Sequence, residues 1–371
     1  MNVLQILPEL NAGGVERTTV EMVEALTGAG HGAHILSAGG RMVADIEALG
    51  GVHHTGKIGS KNILSVPWRI AGIRRLVVEY KIDLIHARSR APAWPGMFAA
   101  RAEKIPFVTT YHGIYKASGP LKRFYNSVMA RGDAVIANSN FTRDYLIDQH
   151  GTDKKQITVI PRGVDMAQFD PTRIDRKSVN TLRENWGVDE GDIAVVLPGR
   201  LTRWKGQMVA IEALAHLPPK YHLILVGDPQ GREAYVNALK SAAELHRPDH
   251  KGVVFAPHTK NMPALLMAAD IVLAPSTEPE AFGRIAAEAQ AMNRPIITTD
   301  HGGSLETVLQ GKTGWRVPPS DAQALAEAIL KADALSGVKT ARERIATDFS
   351  KSNLQQAVLK LYENCLDSAG N

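Results

Sequence analysis

The sequence contains one cysteine, Cys365, in 371 residues. A single thiol excludes an internal disulfide framework and any thiolate-rich metal site. Aromatic residues make up 6% of the chain, and none interleave with basic residues in the manner of a single-stranded nucleic-acid platform, so no nucleic acid is expected as a partner. No run of about 18 apolar residues is present, which argues against a membrane-spanning helix. The opening Met1-Asn2-Val3-Leu4-Gln5-Ile6-Leu7-Pro8 lacks a basic stretch and a long apolar core, so no signal peptide is expected and a cytoplasmic location is. No Asp-x-Asp pair stands where it could hold a divalent ion, and the expected metal content is none. The first glycine-rich turn lacks the spaced glycines and the ribose acid of a dinucleotide site, which argues against a nicotinamide enzyme.

What is present is two series of short apolar strands alternating with helices. In the first half, residues 3–7, 34–37, 82–86, 106–111, 134–138 and 157–160 read as strands, with helices over 15–26 and 66–80. In the second half, residues 193–197, 221–226, 253–256, 271–274, 295–299 and 314–317 read as strands, and 207–216 and 322–335 as helices. Buried, near-continuous apolar strands separated by helices indicate parallel sheets covered on both faces. The polar stretch 166–190 breaks the rhythm and reads as a linker region. The expected organisation is therefore a first α/β domain over 1–165, a second over 191–350, and a C-terminal helix within 351–371 that could return to the first domain. Two doubly wound, Rossmann-like sheets would face each other across a ligand cleft at the carboxyl ends of their strands.

Charge is uneven. Residues 1–165 hold 20 Lys and Arg against 14 Asp and Glu, and the remainder holds 23 against 24. A basic first half suits an anionic acceptor, and equally a merely solvated surface. Arg69, Arg74 and Arg75 on one helix, and Pro120-Leu121-Lys122-Arg123-Phe124-Tyr125, would allow peripheral contact with an anionic membrane face.

Six clusters follow strand ends. Gly199-Arg200-Leu201-Thr202-Arg203-Trp204-Lys205-Gly206 offers two fixed cations, which a departing diphosphate requires when no metal neutralises it. Glu280-Ala281-Phe282-Gly283-Arg284-Ile285-Ala286-Ala287-Glu288 places two carboxylates eight residues apart around a helix start. A carboxylate accepts two hydrogen bonds from a vicinal diol, but an acidic helix start also favours its own dipole. Gly302-Gly303-Ser304-Leu305-Glu306 allows close backbone approach to a ligand, or a simple helix cap at Glu306. Thr110-Tyr111-His112-Gly113 sets a histidine at a strand terminus. Gly13-Gly14 occupies the first strand–helix turn, and Arg88 and Arg90 lie in a loop after another strand.

Together, in this order and spacing and across nearly the whole chain, these motifs resemble glycosyltransferase family 4, a retaining group with the GT-B fold. The resemblance implies that Arg200 and Lys205 bind a donor diphosphate alongside Gly199. It implies that Glu280 faces the transferred sugar, with the backbone of Ala281, Phe282 and Gly283 beside it. It further implies that Glu288 holds the ribose, that Glu306 belongs to the donor site, that His112 lies near the reacting centre, and that Gly13 and Gly14 border the diphosphate and the acceptor. Ala281 departs from the family's usual glycine. The stretch Ile85-His86-Ala87-Arg88-Ser89-Arg90-Ala91-Pro92-Ala93-Trp94 resembles a Gram-negative subgroup associated with lipopolysaccharide core assembly. That likeness implies a mannosyl group from GDP-mannose, a glycan or glycolipid acceptor met by Arg88 and Arg90, and no cofactor beyond the nucleotide sugar. A UDP-sugar donor, a sugar-nucleotide epimerase or phosphorylase on the same fold, and a module that only holds nucleotide sugar stay open on the residues alone.

Overall fold

The computed structural model describes residues 1–371 except 12, 116, 248–251, 335–338 and 370–371. Ala12 of the first glycine-rich turn and Leu335 at the end of an expected helix lie outside the described residues. The chain divides into two compact units, Met1–Pro161 with Lys351–Asn371, and Arg162–Ser350.

The first unit is built on seven strands: β1 (Asn2–Ile6), β2 (Gly32–Ser37), β3 (Val52–Thr55), β4 (Leu84–Ala87), β5 (Phe107–Tyr111), β6 (Ala134–Ala137) and β7 (Ile157–Val159). Their order is β3-β2-β1-β4-β5-β6-β7, and every pairing is parallel. Strand alternation sends Leu4 and Ile6 to one core and Val3 to the other. Helices therefore cover both faces. The C-terminal helix Lys351–Ala369 closes one face, burying Leu354, Val358, Leu361 and Tyr362 with Val3, Leu84 and Val108. Each aliphatic side chain so buried contributes about 1.5–3 kcal/mol before entropy is counted. Gln355 Nε2 donates to Glu21 O (2.8 Å) and Lys351 pairs with Glu24 (3.1 Å) at the start of the same helix.

The second unit has six strands: β8 (Ile193–Pro198), β9 (Tyr221–Val226), β10 (Val253–Ala256), β11 (Ile271–Ala274), β12 (Ile296–Thr299) and β13 (Trp315–Val317). They are ordered β10-β9-β8-β11-β12-β13, again all parallel. Ala194 and Val196 point into one core, Val195 and Leu197 into the other. Both sheets thus have the doubly wound order, in which the direction of winding reverses beside the first strand. In the second unit that reversal falls between β8 and β11.

Two segments differ from the sequence expectation. Residues 166–190 are not a linker. They carry the helix Arg176–Trp186, N-capped by Asp175, whose carboxylate accepts from Lys177 N and Ser178 N. Phe169, Trp186 and Val188 are buried with Val196 and Val272 in the second unit. Arg183 ties this helix to Asp270 (2.8 Å) and to Asp192 O (3.0 Å). Residues following Arg88 do not form a surface loop either, because Arg90–Glu103 is a helix that packs on the helix Val66–Glu79. No helix among the described residues is long and apolar enough to cross a membrane.

Candidate functional site

The strands around the reversal point of the second sheet deliver the site. The β8 loop carries Gly199 to Gly206, and the β11 loop carries Pro275 to Gly283. Backbone contact fixes them together. Thr277 N donates to Trp204 O (2.8 Å). Gly206, at φ 77°, lies so close to the Pro275 carbonyl that a Cβ would stand 2.0 Å from its oxygen. Only glycine satisfies both conditions.

Lys205 Nζ donates to Glu280 Oε1 at 2.8 Å, and each side chain is 16% exposed. Ser276 Oγ donates to the same Glu280 oxygen at 2.5 Å. The Lys205 ammonium also lies 4.3 Å from the centre of the Trp204 ring, whose face attracts a cation. Two groups from the β12 end hold Ser276 in turn: Thr299 Oγ1 and His301 Nε2 both donate to Ser276 O, at 2.7 and 2.8 Å. Burial alone would raise the Glu280 carboxyl. The Lys205 ammonium, the hydrogen bonds from Lys205 and Ser276, and the His301 ring outweigh burial and hold it below its ordinary value. Glu280 is thus an ionised carboxylate in a mostly enclosed polar pocket, able to accept hydroxyl groups at its remaining oxygen.

Gly302-Gly303 serves this loop rather than open space. A Cβ on Gly303 would stand 2.6 Å from Ala281 O and from Phe282 Cα, and Gly303 N donates to Glu280 O (2.8 Å). The expected close approach is therefore to backbone 280–282. Gly283, at φ 83°, opens the helix Arg284–Ala291. The Phe282 side chain is core, edge-on to Phe349 at 5.5 Å between ring centres.

Other expected residues are not joined to this pair. Arg200 is exposed, and its guanidinium makes no ion pair among the described residues; its carbonyl accepts from Gln207 Nε2 (3.0 Å). Glu288 is buried on its helix and bonded by Arg284, with Nη2 at 2.6 Å and Nε at 3.2 Å from Oε1. Glu306 sits half-buried in the short helix Ser304–Thr307, where its carbonyl accepts from Arg344 Nη2. Among the described residues no three His, Cys, Asp or Glu side chains group as metal ligands would. Ser276, Thr299 and His301 are members that sequence reasoning missed. Their signal is slight: each lies within two residues of a strand end in the second sheet.

In the first unit, Gly13 N-caps the helix Gly14–Gly28 at the β1 end. His112 follows β5, half-buried, and its carbonyl accepts from Asn138 Nδ2 (3.3 Å). Arg88 and Arg90 diverge, contrary to the expectation of a shared acceptor-facing pair. Arg88 is 2% exposed, and its Nε donates to Gln5 Oε1 (2.6 Å). Tyr362 bonds both Arg88 and His86, lying 2.5 Å from His86 Nδ1, while His86 Nε2 meets Thr110 Oγ1 at 2.7 Å. Burial first, and then the Arg88 charge, push His86 well below its ordinary pKa, so it is neutral. Arg90 instead reaches Asn126 Oδ1 (2.8 Å) and lies 4.1 Å over the Tyr115 ring.

Residues 12–168 match the family model described as Glycosyltransferase Family 4, and residues 178–346 match Glycosyl transferases group 1. A glycosyltransferase of known structure from Rickettsia africae ESF-5 is 32% identical, with 98% of each chain covered and a TM-score of 0.90. The chain belongs to the glycosyltransferases of the family 4 and group 1 type. Among curated members, a D-inositol 3-phosphate glycosyltransferase from Xylanimonas cellulosilytica is 29% identical over 67% of this chain. The match spans 62% of that relative's own length. Anabaena Alr3699/HepE, solved in complex with UDP-glucose, is 24% identical, with 98% of this chain and 100% of that chain covered and a TM-score of 0.84, a likeness of fold. The first matched region holds β2 to β7 and the second holds β8 to β13, so the Lys205–Glu280 pair lies within the group 1 region.

Proposed function

We propose that the chain transfers a hexose from a nucleoside diphosphate sugar to a cell-envelope glycan or glycolipid, with retention at the anomeric carbon and without a metal ion. The observation that carries this reading is the Lys205–Glu280 pair, seated where the second sheet reverses its winding, with each side chain only 16% exposed. A cation and an ionised carboxylate so fixed suit a diphosphate on one side and sugar hydroxyls on the other. Lys205 and Arg200 would neutralise the diphosphate as its bond to the anomeric carbon breaks. Glu280 would hold the sugar and favour the positive charge that develops on it. The acceptor oxygen then bonds to the anomeric carbon on the face the diphosphate leaves, and its proton passes to a diphosphate oxygen. Glu288 and Glu306 are assigned to the donor, and Gly13, Gly14 and His112 to the first unit's share of the reaction.

The resemblance around Arg88 supports mannose from GDP-mannose and a lipopolysaccharide core acceptor. A phosphorylated polyol is the second acceptor reading, favoured by the relatives named D-inositol 3-phosphate glycosyltransferase and by the basic excess in residues 1–165. The test is a thermal-shift screen with GDP-mannose, UDP-glucose, GDP and UDP. A ligand at one hundred times its dissociation constant stabilises by about 2.7 kcal/mol, or roughly 5–10 °C in a unit of this size. The selected donor is then supplied with acceptor, with and without chelator, and the product anomer is read by NMR. No stabilisation and no donor consumption would remove the enzyme reading. An inverted anomer would remove retention, and loss of turnover with chelator would remove metal independence.

A further inference from the structure

The first unit carries a basic cavity that neither the family motifs nor the proposed reaction uses. The helix Pro120–Ser127 and the last turn of the helix Asn140–His150 wall a space of about 570 Å³, a volume in the range of small-molecule sites. Arg123, Arg131 and His150 line it, with Ser127, Gln149 and Phe124, and no carboxylate does so among the described residues. The direction of Arg131 is fixed: its guanidinium lies 5.3 Å over the Phe124 ring and 5.8 Å over Trp94, and its Nε donates to Ser127 Oγ (3.0 Å). Arg123 Nη2 donates to Gln149 Oε1 at 3.5 Å. Neither arginine has an ion-pair partner among the described residues.

This is unlike the neighbouring basic helix Val66–Glu79. There Arg74 is paired with Glu103 (2.6 Å), Arg75 with Glu79 (3.5 Å), and Arg69 donates to Ile58 O and Asn62 O. Among the described residues that line the cavity, no carboxylate compensates the charge. His150 lines the same space and bonds the Tyr111 hydroxyl (3.2 Å), with Tyr145 beside its ring. Burial first, then the Arg123 and Arg131 charges, hold its pKa below the ordinary value. Two guanidiniums with free Nη donors converging on one space match the planar, forked recognition of a phosphate.

We propose that this cavity binds the phosphate of a phosphorylated ligand, either a soluble phosphate monoester or the headgroup of an anionic lipid. The same helix exposes Leu121 (85%) and Phe124 (56%) beside Lys122, which would enter a lipid surface with the headgroup held behind them.

Two probes separate the sources. Glycerol 3-phosphate is titrated calorimetrically, and vesicles of phosphatidylcholine with and without phosphatidylglycerol are tested by co-sedimentation. The full chain is compared with the Arg123→Gln/Arg131→Gln double variant, so any phosphate affinity of the Lys205 loop cancels in the difference. A tenfold or greater loss for glycerol 3-phosphate supports a soluble ligand. The same loss confined to phosphatidylglycerol vesicles supports a lipid headgroup. Both effects should weaken with salt. Should the double variant melt early through loss of the Arg131 stacking, Arg123→Gln alone decides, with a loss of threefold or more expected. No binding of either probe by the unaltered chain, or affinities within twofold in the variants, overturns the proposal.

Discussion

Replacing Glu280 by Gln should tighten the binding of the bare nucleoside diphosphate while nearly abolishing transfer. Lys205 Nζ is already bonded to Glu280 at 2.8 Å before any donor arrives. A phosphate oxygen accepting from the same ammonium at equal length would stand about 4.6 Å from the Glu280 oxygen, where two unit charges repel by about 3.6 kcal/mol at an effective dielectric constant of 20. Each side chain is 16% exposed, so water screens part of this. A residue of about 1.4–2.7 kcal/mol is a ten- to hundredfold gain in affinity. Turnover should fall in the opposite sense, by about a hundred- to a thousandfold, the usual cost of losing one group aimed at transition-state charge. The assay pairs calorimetric titration of UDP and GDP with donor turnover in the same preparation. If Glu280→Gln binds both nucleotides no more tightly than the unaltered chain, the reasoning that Lys205 is shared between carboxylate and diphosphate fails. If turnover stays within threefold, Glu280 has no part in transfer.

Two further outcomes follow from the described geometry. The Glu280 carboxyl is held below its ordinary 4.5 in the folded chain. Its contribution to stability is therefore complete above that value and is lost as pH falls through the depressed folded value. Urea midpoints measured from pH 7 down to pH 3 should fall more steeply below 4.5 for the unaltered chain than for Glu280→Gln, and parallel curves would contradict the assignment. Tyr362→Phe removes the hydroxyl that His86 and Arg88 share behind the C-terminal helix. Leaving buried polar groups unsatisfied costs about 1–3 kcal/mol, visible as a lower urea midpoint and earlier proteolysis within 351–369; an unchanged midpoint would refute the network's structural role.

Much of the fold is written in apolar periodicity. The six strands of the second sheet are legible because short apolar stretches recur there between turn residues. β3 escapes notice because Val52-His53-His54-Thr55 has one aliphatic residue and lies at a sheet edge. The helix Arg90–Glu103 hides behind Pro92 and Pro95. A proline in the first turn removes no helical bond, but Pro95 lies beyond it and reads as a breaker. The helix Arg176–Trp186 hides for the opposite reason: its apolar residues, Val179, Leu182 and Trp186, are a thin stripe in a charged run. In the site, Lys205 and Glu280 are legible because each follows a strand beside the reversal point. Ser276 and His301 are not, since the bond between them joins loops 25 residues apart. The engagement of Glu288 by Arg284 is signalled by their spacing of four on a helix.

The glycines decide how the site responds when its charges change. Gly206 presses on Pro275 from the β8 side, and Gly303 presses on Ala281 and Phe282 from the β12 side. The loop bearing Glu280 is thus clamped between two backbones, with Gly303 N and Trp204 O each spending a hydrogen bond on it. A loop so held cannot swing Glu280 away when a diphosphate claims Lys205. The carboxylate must then be compensated in place, and Ser276, bonded to the same oxygen and anchored by Thr299 and His301, is the group positioned to do so. Preorganised donors of this kind cost no rearrangement at the moment charge moves. For that reason the effect of Glu280→Gln is electrostatic rather than a collapse of the loop, and the opposite movements of nucleotide affinity and turnover can be read as charge alone.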